Sequence, residues 1–266
     1  MSRTLALITG ASSGIGAAYA RLLADDHDFV LVARRLERLG ELADELRAAG
    51  ATVEVLPADL GAPEGLDAVT KRLSVGDVRL LISNAGVGGY APLADVAPDE
   101  ITRLLTLNAV APVQLARAAL PGMLAAGEGA IVMVASLLAF SAGQSNPHMP
   151  PRTLYAAAKA ATVAFARTLA HEVGDAGIHA QVVCPGLVAT DFNGGAGRNI
   201  PVAMTPEGVA QASLEGLRLG ETICVPGLEE RDAAVDALLV AEGALLAGGN
   251  RPTPAARYSD SQARPR

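Results

Sequence analysis

The chain has 266 residues, half of them apolar, 18% charged and only 3% aromatic, with a formal net charge of −7. That length and a mean hydropathy of +0.32 exclude a predominantly disordered chain and supply enough apolar surface for a large core. The acidic balance, with a pI near 5.1 and no clustered basic stripe, excludes a nucleic-acid binder.

Cys184 and Cys224 are the only cysteines and both sit in apolar runs that read as strands. They form no disulfide framework and no zinc spacing, which predicts a cytoplasmic protein without a metal site. Gly10, Ser12, Ser13, Gly14 and Gly16 interrupt the apolar stretch after Ile8, so the N-terminus does not read as a leader. Residues 129–151 carry no charge, but their apolar part stops near Ala142, short of the ~20 residues a membrane span needs.

In chain order, the apolar run Thr4 to Thr9 predicts a strand that ends in glycines, and Ala17 to Asp26 predicts a helix. Phe29 to Ala33 reads as a strand and Leu36 to Ala49 as a charged amphipathic helix. The alternation continues with strands at Val53 to Leu56, Leu80 to Ser83, Ala130 to Ala135 and Ile178 to Cys184, with helical stretches between them. Glu230 to Leu246 predicts a late helix. Such alternation implies an α/β fold, a single doubly wound Rossmann-type domain over residues 1–247 with helices on both faces of a parallel sheet. Residues 248–266, rich in proline and arginine, read as a disordered tail.

In that architecture ligands bind beyond the carboxyl ends of the strands. The residues there are Gly10, Ser12, Ser13, Gly14, Ile15 and Gly16 after the first strand, and Arg34 and Arg35 after the second. Asp59, then Asn84, Ala85 and Gly86, then Ser136, then Pro185 and Gly186 follow the next four. Glycines between a strand and a helix let the backbone approach a phosphate, which the helix amides then bind. An NAD site usually carries a carboxylate at the end of the second strand; guanidinium groups there favour a 2′-phosphate, so the reading is NADP(H) over NAD(H).

Tyr155 and Lys159 share a helix face at i, i+4. Of 21 basic residues only Lys71 and Lys159 are lysine, which asks why arginine does not serve at 159. An ammonium beside a phenol lowers its pKa and produces an acid–base group, and a compact ammonium also holds ribose hydroxyls.

Together, Thr9-Gly-Ala-Ser-Ser-Gly-Ile-Gly16, Asp59-Leu60, Asn84-Ala85-Gly86, Asn108, Ser136, Tyr155-x3-Lys159 and Pro185-Gly186 resemble the short-chain dehydrogenase/reductase family over about residues 3 to 227. The resemblance implies that Tyr155 is the acid/base, Lys159 its partner and ribose clamp, and Ser136 the group that binds the substrate carbonyl. It implies that Asn108 holds a relay water, that Asp59 and Leu60 meet adenine, and that Asn84 to Gly86 line the cofactor. Val188 and Thr190 would contact the nicotinamide carboxamide. Pro112, four residues after Asn108, removes the helical donor to the Asn108 carbonyl and leaves it open to water.

Three positions depart from the family pattern. Ser83 replaces an asparagine; Ser136 and Tyr155 are 19 residues apart, with Pro147, His148, Pro150 and Pro151 in the extra loop; and Ile223-Cys224-Val225-Pro226-Gly227 leads into a helix. His148 reads as a solvent-exposed loop residue. Asp191 to Asn199, with Gly194, Gly195 and Gly197, reads as a mobile lid, and the scarcity of aromatics predicts aromatic-poor pocket walls. The expected function is NADP(H)-dependent interconversion of a carbonyl and an alcohol on a small-molecule substrate, by a homodimer or homotetramer. An NADP(H)-binding regulator without turnover and a methyltransferase on a similar sheet are the alternatives.

Overall fold

A computed structural model describes residues 3–144, 146 and 149–258. The chain divides into two compact units, Met1–Gly227 and Leu228–Arg266. In the first, strands and helices alternate in the order β1 Thr4–Thr9, α1 Gly14–Leu22, β2 His27–Ala33, α2 Leu36–Ala48, β3 Val53–Pro57, α3 Pro63–Leu73 and β4 Val78–Ser83. They are followed by α4 Pro98–Leu105, α5 Ala111–Ala126, β5 Gly129–Val134, α6 Thr153–Val173, β6 Ile178–Val183, α7 Phe192–Gly195, α8 Pro206–Arg218 and β7 Ile223–Cys224. The second unit contains α9, Arg231–Gly249, whose Leu239, Val240, Leu245 and Leu246 are exposed. Of the predicted tail, residues 259–266 lie outside the described residues, and so do Pro147 and His148.

The strands form one seven-stranded parallel sheet in the order β3-β2-β1-β4-β5-β6-β7. Ala6 to Thr9 are fully buried, as are Leu81 and Ile82 in β4 and Ile131 to Met133 in β5. Runs buried on both faces rather than alternating are what helices above and below a parallel sheet produce. Alanines on α1 keep that helix close to the sheet, and Tyr19 supplies the largest buried side chain.

Strand order reverses between β1 and β4, which opens a crevice at their carboxyl ends. The register there aligns Ile8 with Ile82, Ser83 with Met133 and Val134 with Val183. Thr9 locks the edge: its Oγ1 accepts from the amides of Asn84 and Ala85 at 2.9 and 3.0 Å. The Asn84 side chain returns a bond to the Thr9 carbonyl at 3.0 Å.

The predicted strands fall within one or two residues of these, while α1 begins three residues before the expected helix because Gly14, Ile15 and Gly16 are already helical. The uncharged segment 129–151 opens as a sheet strand, β5. The run Pro98–Ala126 is long and apolar enough to cross a membrane by length and composition. In the fold it packs on α3, α6, β4 and β5.

Candidate functional site

The glycine-rich turn sits at the crevice. Gly10 has φ +67°, and a Cβ there would lie 2.6 Å from Asn84 Nδ2; a Cβ on Gly16 would lie 2.5 Å from the Gly10 carbonyl. These contacts let strand and helix meet without side chains between them. The first turn of α1 carries no acidic residue and Ser13 does not cap it, so its amides face the crevice without a side-chain acceptor. Ile15 packs against the core under the turn. The cradle and the uncapped amides fit a dinucleotide pyrophosphate.

Beside it lies a concentration of positive charge. Arg35 donates to Ser12 Oγ at 2.9 Å and to Ser13 Oγ at 2.6 Å, which draws its guanidinium over the turn. Burial, then the charges of Arg38 and Arg34, lowers the Arg35 pKa below the usual guanidinium value. Arg34 lies 3.9 Å from Asp59 Oδ2, with both side chains well exposed. Asp59 Oδ1 accepts from the Gly61 amide at 2.9 Å, and Leu60 is buried. An arginine cluster beside serine hydroxyls is a receptor for a phosphate dianion.

The other half of the site is built on β5 and α6. Tyr155 and Lys159 project from one face of α6 and are buried, as is Ser136, two residues past β5. Ser136 Oγ accepts from the Leu138 amide at 3.2 Å and lies in hydrogen-bonding reach of the Tyr155 phenol. Lys159 Nζ donates to the Val134 carbonyl at 2.9 Å and lies 5.8 Å from the Tyr155 ring centroid.

The electrostatics differ from the expectation of a lowered phenol pKa. Burial, the largest effect, and the neighbouring Tyr90 push Tyr155 above its ordinary value, while the Ser136 hydrogen bond opposes them. Lys159 does not offset this, because its hydrogen bond runs to the strand and its Nζ stands 5.8 Å from the ring centroid. Tyr155 is therefore held as a neutral phenol, a proton donor.

Asn108 is fully buried in a π-helical turn, Thr106–Val110, between α4 and α5. Its side chain clamps the Val87 backbone in both directions, accepting from the amide at 3.1 Å and donating to the carbonyl at 2.9 Å. Its main-chain carbonyl is not open in the way Pro112 alone suggests: Thr162 Oγ1 donates to it at 3.0 Å. A π-turn releases carbonyls that α-helix would use, and α6 supplies a hydroxyl to one of them. Gly86 passes so near that a Cβ would lie 2.8 Å from Asn108 Oδ1 and 3.5 Å from Lys159 Nζ.

Pro185 and Gly186 continue the sheet edge, with the Leu137 amide donating to the Pro185 carbonyl at 3.0 Å. The segment after them folds back through a parallel bridge between Val188 and Met204. Thr190 rests on the glycine turn, its Cγ2 3.0 Å from where a Gly14 Cβ would stand. Phe192 lies 6.2 Å from the Tyr155 ring and Tyr90 5.2 Å from it, centroid to centroid. The expectation of aromatic-poor walls is thus corrected, because folding gathers three rings from distant segments.

Arg152 orders the described part of the long loop through Ser141 Oγ at 2.8 Å and the Gln144 carbonyl at 2.9 Å. Arg38, Thr162 and Tyr90 were not among the expected site residues, and Asp191 was expected only as the first residue of a mobile lid. Thr162 had a signal, lying on the face of Tyr155 and Lys159 at i+7 and i+3, and Arg38 had one in its nearness to Arg34 and Arg35. Tyr90 had none, and Asp191 had only its place at the start of the glycine-rich segment. Among the described residues no cluster of His, Cys, Asp and Glu could hold a metal.

A glycine cradle at a sheet switch point, facing a buried serine, tyrosine and lysine, defines a dinucleotide-binding oxidoreductase architecture. Residues 4–200 match the family model described as short chain dehydrogenase. A fatty acyl-CoA reductase of Mycobacterium tuberculosis is 37% identical over 69% of this chain, a match that spans 63% of that relative's length. Among solved structures, a short-chain dehydrogenase from Sphingobium yanoikuyae in complex with NADPH has a TM-score of 0.89 at 36% identity, covering 96% of this chain and 100% of that one. The bulky-bulky ketone specific alcohol dehydrogenase of Comamonas testosteroni has a TM-score of 0.85 at 32% identity, covering 97% and 99%. The chain belongs to the short-chain dehydrogenase/reductase family of oxidoreductases.

Proposed function

We propose that the protein is an NADP(H)-dependent carbonyl reductase, or alcohol dehydrogenase in reverse, and that Ser136, Tyr155 and Lys159 carry the reaction. The observation that carries this reading is the placement of a buried, neutral Tyr155 beside Ser136, at the same sheet edge as a glycine cradle and an arginine cluster. NADP(H) bound there supplies the hydride. Gly10 to Gly16 hold the pyrophosphate, and Arg34, Arg35 and the Ser12 hydroxyl hold the 2′-phosphate. Asp59 and Leu60 border the adenine, Asn84 to Gly86 line the crevice, and Pro185, Gly186, Val188 and Thr190 close it at the nicotinamide end.

Ser136 donates a hydrogen bond to the substrate carbonyl oxygen and Tyr155 delivers a proton to the same oxygen. A phenol that stays protonated at neutral pH suits the reductive direction, in which the residue must act as an acid. Lys159, its pKa lowered to about 8 and still mostly protonated at physiological pH, holds the ribose hydroxyls and returns a proton toward Tyr155. Asn108, braced by Thr162 and Val87, positions water behind Lys159.

The rings of Tyr90 and Phe192, with exposed Leu137 and Leu187 on the segments after Ser136 and Gly186, favour a neutral carbonyl compound flanked by apolar groups. Cys184 and Cys224, both buried and outside any disulfide, suit a reducing cytoplasm. Exposed Val113 and Leu124 on α5 support a homo-oligomer that uses the outer faces of α5 and α6. Light scattering on the purified protein reads the subunit number.

The test is turnover of NADPH with a panel of ketones and aldehydes. Oxidation of NADPH dependent on an apolar ketone is expected; absence of turnover across the panel, with Tyr155→Phe indistinguishable from the native protein, overturns the reading in favour of a non-catalytic nucleotide binder.

A further inference from the structure

Asp191 links the two halves of the site. Its Oδ2 lies 3.0 Å from Arg38 Nη1 and 4.0 Å from Arg35 Nη1, and its Oδ1 pairs with Arg198. These residues, with Gly194 and Gly195, line an open cavity of about 360 Å³. The carboxylate comes from a segment more than 150 positions away in the chain from Arg35 and Arg38. It occupies the arginine cluster as an anion would.

The residues on either side of it touch the remaining parts of the site. Thr190 rests on Gly14 of the phosphate turn, and Phe192 stands against the Tyr155 ring. Whatever displaces Asp191 therefore acts on the cover of the glycine turn and on the aromatic wall beside the phenol. Resting on the NADP(H) reading above, we propose that Asp191 is a latch in the 2′-phosphate seat, displaced from Arg35 and Arg38 by the cofactor's 2′-phosphate. Displacement frees the segment between the Val188–Met204 bridge strands, so recognition of the phosphate is coupled to the position of Phe192. The physical reason is charge and valence: a phosphate near −2 with three acceptor oxygens satisfies two guanidinium groups better than one carboxylate does. A cofactor with a bare ribose hydroxyl has no charge with which to displace it.

The experiment uses 2′,5′-ADP and 5′-AMP as probes, so that no turnover is involved. Arg198–Asn199 is the only tryptic bond between Arg167 and Arg218, and Arg198 is itself one arm of the latch. Saturating 2′,5′-ADP is expected to speed cleavage after Arg198 severalfold, and 5′-AMP to leave it unchanged. In Asp191→Asn and Asp191→Ser, which alter an exposed ion pair, cleavage is fast without ligand. Both variants bind 2′,5′-ADP about fivefold tighter than the native chain, the worth of two exposed ion pairs, with 5′-AMP affinity unchanged. Unaltered 2′,5′-ADP affinity in both variants, or cleavage that ignores the ligand, overturns the latch while a preference for 2′,5′-ADP over 5′-AMP keeps the cofactor reading. Equal affinity for the two probes in native and variant proteins overturns the cofactor reading and the latch with it.

Discussion

Lys159 and Tyr155 stand one helical turn apart, yet the ammonium donates to the Val134 carbonyl and sits 5.8 Å from the phenol ring rather than on its hydroxyl. Burial dominates both groups and acts on them oppositely, keeping the phenol protonated and lowering the lysine to about 8. The pair is arranged so that the phenol has a proton to give and the lysine is close to its own titration.

Tyr155→Phe removes the hydroxyl and leaves the ring that packs on Tyr90 and Phe192. Loss of a general acid lowers kcat/KM by about 10²–10⁴-fold. NADPH affinity, followed by fluorescence titration, is expected to change little. Wild-type turnover in this variant removes the phenol from the mechanism.

Lys159→Met tests the buried ammonium through stability. A lysine whose folded pKa is depressed from 10.5 to about 8 carries its full burial penalty below pH 8 and loses it as the pH rises toward 10.5. Removing the ammonium relieves up to about 3 kcal/mol near pH 7, offset in part by the Val134 carbonyl left without its donor, so the unliganded variant gains on the native protein as the pH falls from 10.5 to 8. Thermal melts from pH 6 to 10.5 should show that relative gain disappearing at the alkaline end. Cys184, pushed up to about 12 by burial, feels the Lys159 charge and alters stability above pH 9, so the pair is compared most directly between pH 7 and 9.

Arg34→Asp places a carboxylate where a 2′-phosphate is proposed to lie. A charge-assisted hydrogen bond is worth about 1.5–3 kcal/mol, so NADPH affinity should fall by at least ~10-fold while NADH affinity holds or improves. Parallel titrations with the two cofactors read this directly, and equal losses remove Arg34 from phosphate recognition.

Thr162→Val is nearly isosteric but leaves the Asn108 carbonyl without its hydroxyl donor. A loss of about 1–2 kcal/mol in denaturant midpoints is expected from a buried unsatisfied acceptor. If Asn108 positions a relay water, kcat falls with KM unchanged; a stability loss with native kcat assigns Thr162 to the fold alone.

The sheet was readable because its longer strands are mostly apolar runs, several of them closed by Gly, Asn or Pro, the pattern of strands buried on both faces. Strand β7 has two residues and offers little such pattern. The π-turn around Asn108 was hidden because its residues are ordinary helix formers; what makes it is a bond from Ala111 to Thr106, one residue further back than an α-helix allows. Pro112 shows in the sequence that the Asn108 carbonyl lacks its helical donor, but the replacement donor, Thr162, comes from α6, which local pattern does not reveal.

By itself the sequence determined the fold class and the short motifs, since strand runs, glycine turns and an i, i+4 pair depend on neighbours within a few residues. Tertiary structure alone decided that Tyr90, Tyr155 and Phe192 form one wall, that Asp191 meets Arg38, and that burial rather than the lysine sets the state of the phenol. Those outcomes depend on groups far apart in the chain and on how much water the fold excludes, which no local spacing encodes.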